Sequence, residues 1–320
     1  MDRRGFVVGI CTLALPVAAG AQARLYRVGI VHRGGPYAAA IDGLRDGLKD
    51  LRMSEGAQYV LHVRASAIVK GVESAAAALE QEKVDVIFSV ATSTTIAVKR
   101  ATKSVPIVFY SGTDPVRAGL IENFSKPGGR LTGVHSRFND LTAKRLELLK
   151  VLMPKLSRVV TFYDKTNPVF APSVKLAREA SQRLGVQLIE RTVATVDDVR
   201  SELRALKRGQ ADALFLVSDA MVISETPAII AAAREKKMAT MMSEQSAVAQ
   251  GALASYGVSY YTCARLAATY VQRILAGANP GDLPIEQIDT PHFAVNLKTA
   301  DALGLKISQA VLARADEVIR

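Results

Sequence analysis

Hydroxyl side chains crowd one short stretch of this sequence: Ser89, Thr92, Ser93, Thr94 and Thr95 fall within seven positions, overlapping the end of the apolar run from Val84 to Val90. With a helix expected over Thr94–Lys103, these hydroxyls and the unpaired N–H groups of a helix start suit a carboxylate. A single Ser or Thr serving as N-cap is the plain alternative, and five hydroxyls exceed what one cap uses. Other strand-like runs also end in polar residues. Asp114 follows Pro106–Tyr110 and fits either a ligand contact or the first position of a turn with Pro115. Asp219 follows Ala213–Val217 and suits a ligand ammonium, or else caps the next helix. His32 and Arg33 end Tyr26–His32, and Tyr163 and Asp164 end the run beginning at Arg158; an aromatic face and a guanidinium serve aromatic and acidic ligands respectively. Glu244 follows Met238–Met242 and adds a carboxylate, while Tyr256, beside Gly257, faces either a cleft or the core.

Catalytic chemistry has no comparable support. The histidines His32, His62, His135 and His292 lack metal-ligand spacing, and the sequence holds no Gly-x-Ser-x-Gly elbow, phosphate loop or Gly-x-Gly-x-x-Gly fingerprint. No metal and no cofactor is expected, and the chain does not read as an enzyme. The formal charge of +11 raises nucleic-acid binding. Its Lys and Arg residues, however, are spread over Lys99–Lys103, Lys144–Lys150, Arg200–Arg208 and Arg234–Lys237, at spacings of solvated helix faces.

The elements that must position these residues alternate strand and helix from Tyr26 onward, the pattern of parallel sheets. Strands are expected at Tyr26–His32, Tyr59–Ala65, Val84–Val90 and Pro106–Tyr110, with helices over Tyr37–Leu51, Gly71–Gln81 and Thr94–Lys103. The second half repeats the plan, with strands at Arg158–Tyr163, Gln187–Thr192 and Ala213–Val217 and helices over Pro172–Leu184, Val196–Lys207 and Thr226–Lys236. At 320 residues the chain is long enough for two cores. Two doubly wound α/β lobes with three crossings are therefore expected, near Leu131–Asn139, Leu253–Ser259 and Pro284–His292. The first lobe takes 24–136 plus 259–284, and the second 137–258 plus 285–320.

Residues 1–23 read as a cleaved signal peptide: Arg3 and Arg4 precede an uncharged run from Phe6 to Ala19, and Ala21-Gln22-Ala23 offers small residues for cleavage. Either the secretory or the twin-arginine route fits. Loss of Cys11 with that segment leaves Cys263 alone, so no intramolecular disulfide is expected, and its apolar helical neighbours suggest a buried thiol.

Pro106–His135, PIVFYSGTDPVRAGLIENFSKPGGRLTGVH, together with Asp282–Arg320, Leu216–Asp219 (LVSD) and Ala252–Gly257 (ALASYG), resembles the substrate-binding proteins of ABC transporters whose characterised members bind aromatic amino acids such as tryptophan. Two departures stand out, Arg130 where Asn is usual and Ser308 where Pro is usual. The resemblance implies the type I periplasmic binding fold and a periplasmic monomer. Its role would be to clamp a small molecule, an amino acid or related carboxylate, between its lobes and present it to an ABC permease with its ATPase subunit. No nucleic acid and no stable membrane insertion after cleavage are expected. The alternative use of the same fold is a ligand sensor feeding a membrane receptor.

Overall fold

The protein is described here by a computed structural model covering residues 24–320; the expected signal peptide lies outside the described residues. The chain opens with β1 (Tyr26–His32), α1 (Ala39–Asp50), β2 (Tyr59–Ala65), α2 (Val69–Gln81), β3 (Val86–Val90), α3 (Thr92–Ala101), β4 (Ile107–Ser111) and β5 (Leu131–Ser136). It continues with α4 (Leu141–Leu152), β6 (Arg158–Tyr163), α5 (Ala171–Leu184), β7 (Gln187–Thr192), α6 (Val196–Ala205), β8 (Ala213–Phe215), α7 (Ala220–Ser224), α8 (Thr226–Lys236), β9 (Ala239–Met242), α9 (Ser246–Ala249) and β10 (Ala254–Gly257). The last elements are α10 (Tyr260–Leu275), β11 (Glu286–Ile288), β12 (His292–Asn296), α11 (Leu297–Ala302), α12 (Gln309–Leu312) and β13 (Glu317–Ile319).

The strands form two sheets, ordered β11-β5-β4-β3-β1-β2 and β13-β12-β10-β9-β8-β6-β7. Within each, the first five strands of that half follow the same doubly wound order, whose switch point places loops at the carboxyl ends of the strands around a crevice. All pairings are parallel except β10 with β12. Helices cover both faces, which explains why β1, β3 and β4 are apolar runs without strict alternation.

Val31, Ile87, Ile107 and Phe109 face α2 and α3 in one cluster, while Val28, Ile30, Phe88 and Val108 face α1 and α10 in another. That second cluster continues through Tyr37, Phe138 and Phe170 into Val160, Phe162 and Leu214 of the second sheet. Glycines at the α1–α10 contact bring the two helices together. A Cβ on Gly43 would stand 2.1 Å from the Tyr261 carbonyl oxygen, and one on Gly47 would stand 2.5 Å from that of Arg265.

Several expected boundaries shift. β11 pairs in parallel with β5, so the first sheet runs to Ile288, beyond the expected end of its lobe at 284. The physical reason is that β11 covers the otherwise open edge of β5. The third crossing is thus confined to 289–291. α3 begins at Thr92 and not Thr94, and a 3-10 turn at Gly35–Ala38 replaces the first turn of the helix expected from Tyr37. Arg130, where the resemblance leads one to expect Asn, donates to the carbonyls of Lys99, Thr102 and Val105, each at 2.8 Å. It caps the C-terminal end of α3, where a cation also meets the helix dipole favourably. No helix among the described residues is long and apolar enough to cross a membrane.

Glu80 on α2 ties down the loop before β4, its carboxylate accepting the backbone N–H groups of Lys103, Ser104 and Val105 at 2.8–3.0 Å. Partial burial alone would raise its pKa, but the N–H donors outweigh that and hold it at about 2. A depressed carboxylate contributes stability above its unfolded value, roughly 4.3, and loses it as pH falls through the folded value. Glu80→Gln should therefore melt below the wild type at pH 7, with the gap closing between about pH 4.5 and 2. Equal gaps at pH 7 and pH 2.5 in thermal denaturation would sink this account.

Candidate functional site: a cleft between the lobes

A small cavity of about 30 Å³ lies where the carboxyl ends of the two sheets meet. From the first lobe its wall takes Ala91, Thr92, Ser93, Tyr110, Gly112 and Thr113, with Tyr37 and Tyr260 beside them. Phe138, Phe170, Ser218, Ala220 and Ile223 close the other side. The space suits one or two water-sized bodies and is far below the few hundred Å³ of a usual ligand pocket. The lobes are thus nearly in contact. Gly35 of the first lobe lies so near Ser224 of the second that a Cβ there would stand 2.4 Å from the Ser224 carbonyl oxygen.

The polar corner is the first turn of α3. Its N-cap, Ala91, makes no side-chain cap and holds φ at 89°, a conformation that costs a non-glycine residue about 1–3 kcal/mol. The strain turns the chain sharply out of β3, so the helix opens directly on the cavity. Thr92 shares a 2.8 Å hydrogen bond with Ser111 and receives another at 3.0 Å from the Thr113 hydroxyl. The Ser93 and Thr94 hydroxyls are buried without a partner. Orphan N–H groups and an unused hydroxyl at a helix start can hold an anionic oxygen.

The apolar corner is aromatic. Tyr37 and Tyr260 stack with centroids 4.5 Å apart, and Tyr110 meets Tyr260 edge-on at 5.8 Å. Burial drives all three phenol pKa values upward, so their hydroxyls stay neutral. Two buried cations stand behind these walls. Arg33 leaves its Nε and Nη1 unpartnered; burial lowers its pKa, countered by Tyr37 and by Asp219 and Asp164 of the second lobe. Arg145, on α4, is fully buried, with its guanidinium carbon 4.8 Å from the Phe138 ring centre.

Of the residues singled out by sequence, Thr92 and Ser93 line the cavity and Thr94 lies one position behind them. The others do not line it. Asp114 is exposed and its Oδ1 accepts the N–H groups of Val116 and Arg117, as in the turn role. Asp219 is buried with both oxygens used: Oδ1 accepts from Met221 and Val222, and Oδ2 from Asp164. Burial raises its pKa and these N–H donors pull the other way. His32 accepts the Gly34 N–H through Nδ1, and burial lowers its pKa, keeping the ring neutral.

Tyr163 points at Glu190, to which it donates at 2.6 Å. Glu244 is buried near Tyr37 and Tyr260 and accepts from Ser246; burial pushes its carboxyl up. Tyr256 packs edge-on against Phe293 at 6.3 Å. Sequence reasoning missed Tyr37, Tyr110, Phe138, Phe170, Ser218 and Tyr260. For Phe138 a signal existed, since an aromatic within the expected first crossing, Leu131–Asn139, has the cleft as its nearest apolar surface. Among the described residues no cluster suits a metal ion.

Residues 29–319 match the family model described as ABC transporter substrate binding protein. The chain belongs to that family. ABC transporter substrate-binding proteins are ligand binders and not enzymes, in keeping with the cleft. The chain is 29% identical over 234 residues to a tyrosine-binding protein of Clostridioides difficile strain R20291, covering 73% of this chain and 67% of that one. Among solved structures, an ABC domain in complex with L-Trp from Streptococcus pneumonia superposes with a TM-score of 0.81 at 22% identity, covering 92% of this chain and all of that one. A ligand-free, open substrate binding protein with adhesive properties from Clostridium difficile gives 0.60 at 26% identity, covering 92% and 99%. This substrate-binding chain thus has the two-lobed type I fold and superposes more closely on the L-Trp complex than on the open form.

Proposed function

We propose that this protein is the exported, periplasmic substrate-binding component of an ABC importer, and that it takes an amino acid with an aromatic side chain into the interlobe cleft by hinge closure. The observation that carries this reading is the pairing of an uncapped helix start, with Ser93 unpartnered, and a cluster of buried aromatic rings on one small cavity. With the lobes parted further than in this structure, where about 30 Å³ has no room for an amino acid, the α-carboxylate goes to the N–H groups and hydroxyls at Thr92, Ser93 and Thr113, and the ring goes among Tyr37, Phe170 and Tyr260. The tyrosine-binding relative and the L-Trp complex support the ligand class. Because the aromatic cluster bridges both lobes, a ligand between them favours the closed population over the open one. The loaded form is then what the permease and its ATPase subunit receive.

The test is thermal denaturation and calorimetry of the mature chain with L-tyrosine, L-tryptophan and L-phenylalanine, with D-ribose as control. At a hundredfold excess over Kd the stabilisation is about 2.7 kcal/mol, a melting shift of several degrees. If none of the three amino acids raises the melting temperature, the reading fails.

A further inference from the structure

Arg145 carries a charge that the protein itself does not neutralise. Its side chain is fully buried, and no Asp or Glu stands within 4.0 Å of it among the described residues. Nη2 donates to the Thr142 hydroxyl at 3.0 Å, Nη1 reaches the Tyr256 carbonyl only at 3.5 Å, and Nε has no partner. A buried, unpaired cation is among the costliest arrangements in a protein, and one is retained where something else answers it. Burial pulls the guanidinium down to about 10, with Tyr260, Tyr110 and Tyr256 as the groups acting against that fall, so it remains cationic at neutral pH.

Two routes lead from this charge to the cleft. One is the Phe138 ring, which lies against the guanidinium and lines the cavity. The other is a hydroxyl chain. Thr142 shares a 2.9 Å hydrogen bond with Ser173, and Ser173 meets Ser218, which lines the cavity, at 3.3 Å. Phe138 also donates its N–H to the Gly112 carbonyl at 3.1 Å, which sets its ring beside the Ser111–Thr113 loop.

We propose that Arg145 is the counter-charge of the ligand's carboxylate, acting across Phe138 and along the Thr142–Ser173–Ser218 hydroxyls without touching the ligand. The inference rests on the reading of the cleft as an amino-acid site and adds a positioning residue from the second lobe to the first-lobe helix start. With the carboxylate in place, the buried cation gains its missing partner, and closure over a ligand that bears a carboxylate is favoured over closure on one that lacks it.

The experiment compares L-tyrosine with L-tyrosinamide, which differ at the carboxylate, on wild type, Arg145→Met, Arg145→Gln and Arg145→Lys. Wild type should prefer the acid. In the two neutral variants that preference should fall by about tenfold or more, and Arg145→Lys should restore much of it. Two neutral variants are used so that misfolding of one leaves the measurement intact. If both ligands weaken equally, Arg145 is only a structural tie between the crossings and the proposal is overturned. Acetate provides a probe independent of the amino-acid reading. At fixed ionic strength, acetate in place of chloride should raise the melting temperature of wild type but not of the neutral variants. If wild type binds no aromatic amino acid yet shows this acetate response, the ligand class is wrong and Arg145 stands. If acetate acts alike on all four proteins, Arg145 falls.

Discussion

Gly35→Val should reduce affinity for L-tyrosine at least a hundredfold in calorimetry, the equivalent of about 2.7 kcal/mol, while leaving the unliganded fold intact. Gly35 adopts φ of +53°, and a Cβ there would meet the Ser224 carbonyl oxygen at 2.4 Å and its carbon at 2.9 Å. Both contacts are backbone, so no rotamer change relieves them. Only separation of the lobes does. The unliganded variant can open and keep both cores, paying only the left-handed backbone strain of about 1–2 kcal/mol. Small-angle scattering should then show a larger radius of gyration than for wild type with L-tyrosine. Gly34→Ala is the matched control, because Gly34 has φ of +81° but no atom within 4 Å of its Cβ position. If Gly35→Val binds as tightly as Gly34→Ala, closure of these two segments is not coupled to binding.

Asp219→Ala should cost stability first and binding second. Three backbone N–H groups, from Met221, Val222 and Asp164, converge on this one carboxylate in the interior. Deleting it leaves them without acceptors at about 1 kcal/mol or more each, or on the order of 3 kcal/mol in urea denaturation. Ligand affinity, normalised for the folded fraction, should change less than tenfold, because Ser218 and Ala220 line the cavity and Asp219 does not. A variant of wild-type stability that has lost L-tyrosine binding would return Asp219 to the role of ligand contact.

Asp219 marks one limit of what the sequence conveys. The sheets were legible because each half carries apolar runs buried on both faces, such as Val86–Val90 and Ile107–Ser111, separated by amphipathic helices. The hydroxyls at Thr92 and Ser93, which line the cavity, stand out in the sequence because they outnumber what a cap needs. Asp114 and Asp219 were ambiguous, and in this structure both accept backbone N–H groups. A short acidic side chain at a strand end serves the backbone N–H groups beside it as readily as a ligand, and sequence alone does not separate the two uses.

Arg145 was hidden in the run Lys144–Lys150, which reads as a solvated face. The spacing of Thr142, Arg145, Leu149 and Leu152, all buried, nonetheless traces one inward stripe on α4, with the arginine at a core position. Tyr37 and Tyr260 could not be paired from sequence because they stack from opposite ends of the chain, and Phe170 joins them only where the two lobes meet.

The close pairing of α1 with α10 bears on the order in which the molecule can be built. Gly43 and Gly47 admit a helix that ends at Leu275, and Tyr261 and Arg265 bond back to Asp46 and Asp50 across 215 positions of chain. A growing polypeptide that has emerged only as far as β10 therefore has every strand of its first sheet except β11, but lacks the helix that seals one face. That face stays greasy and unsealed until the last fifth of synthesis, and contacts this distant in sequence form slowly. The amino-terminal lobe thus cannot be completed from amino-terminal residues alone, and Val28, Ile30 and Leu44 lack part of their cover until α10 arrives.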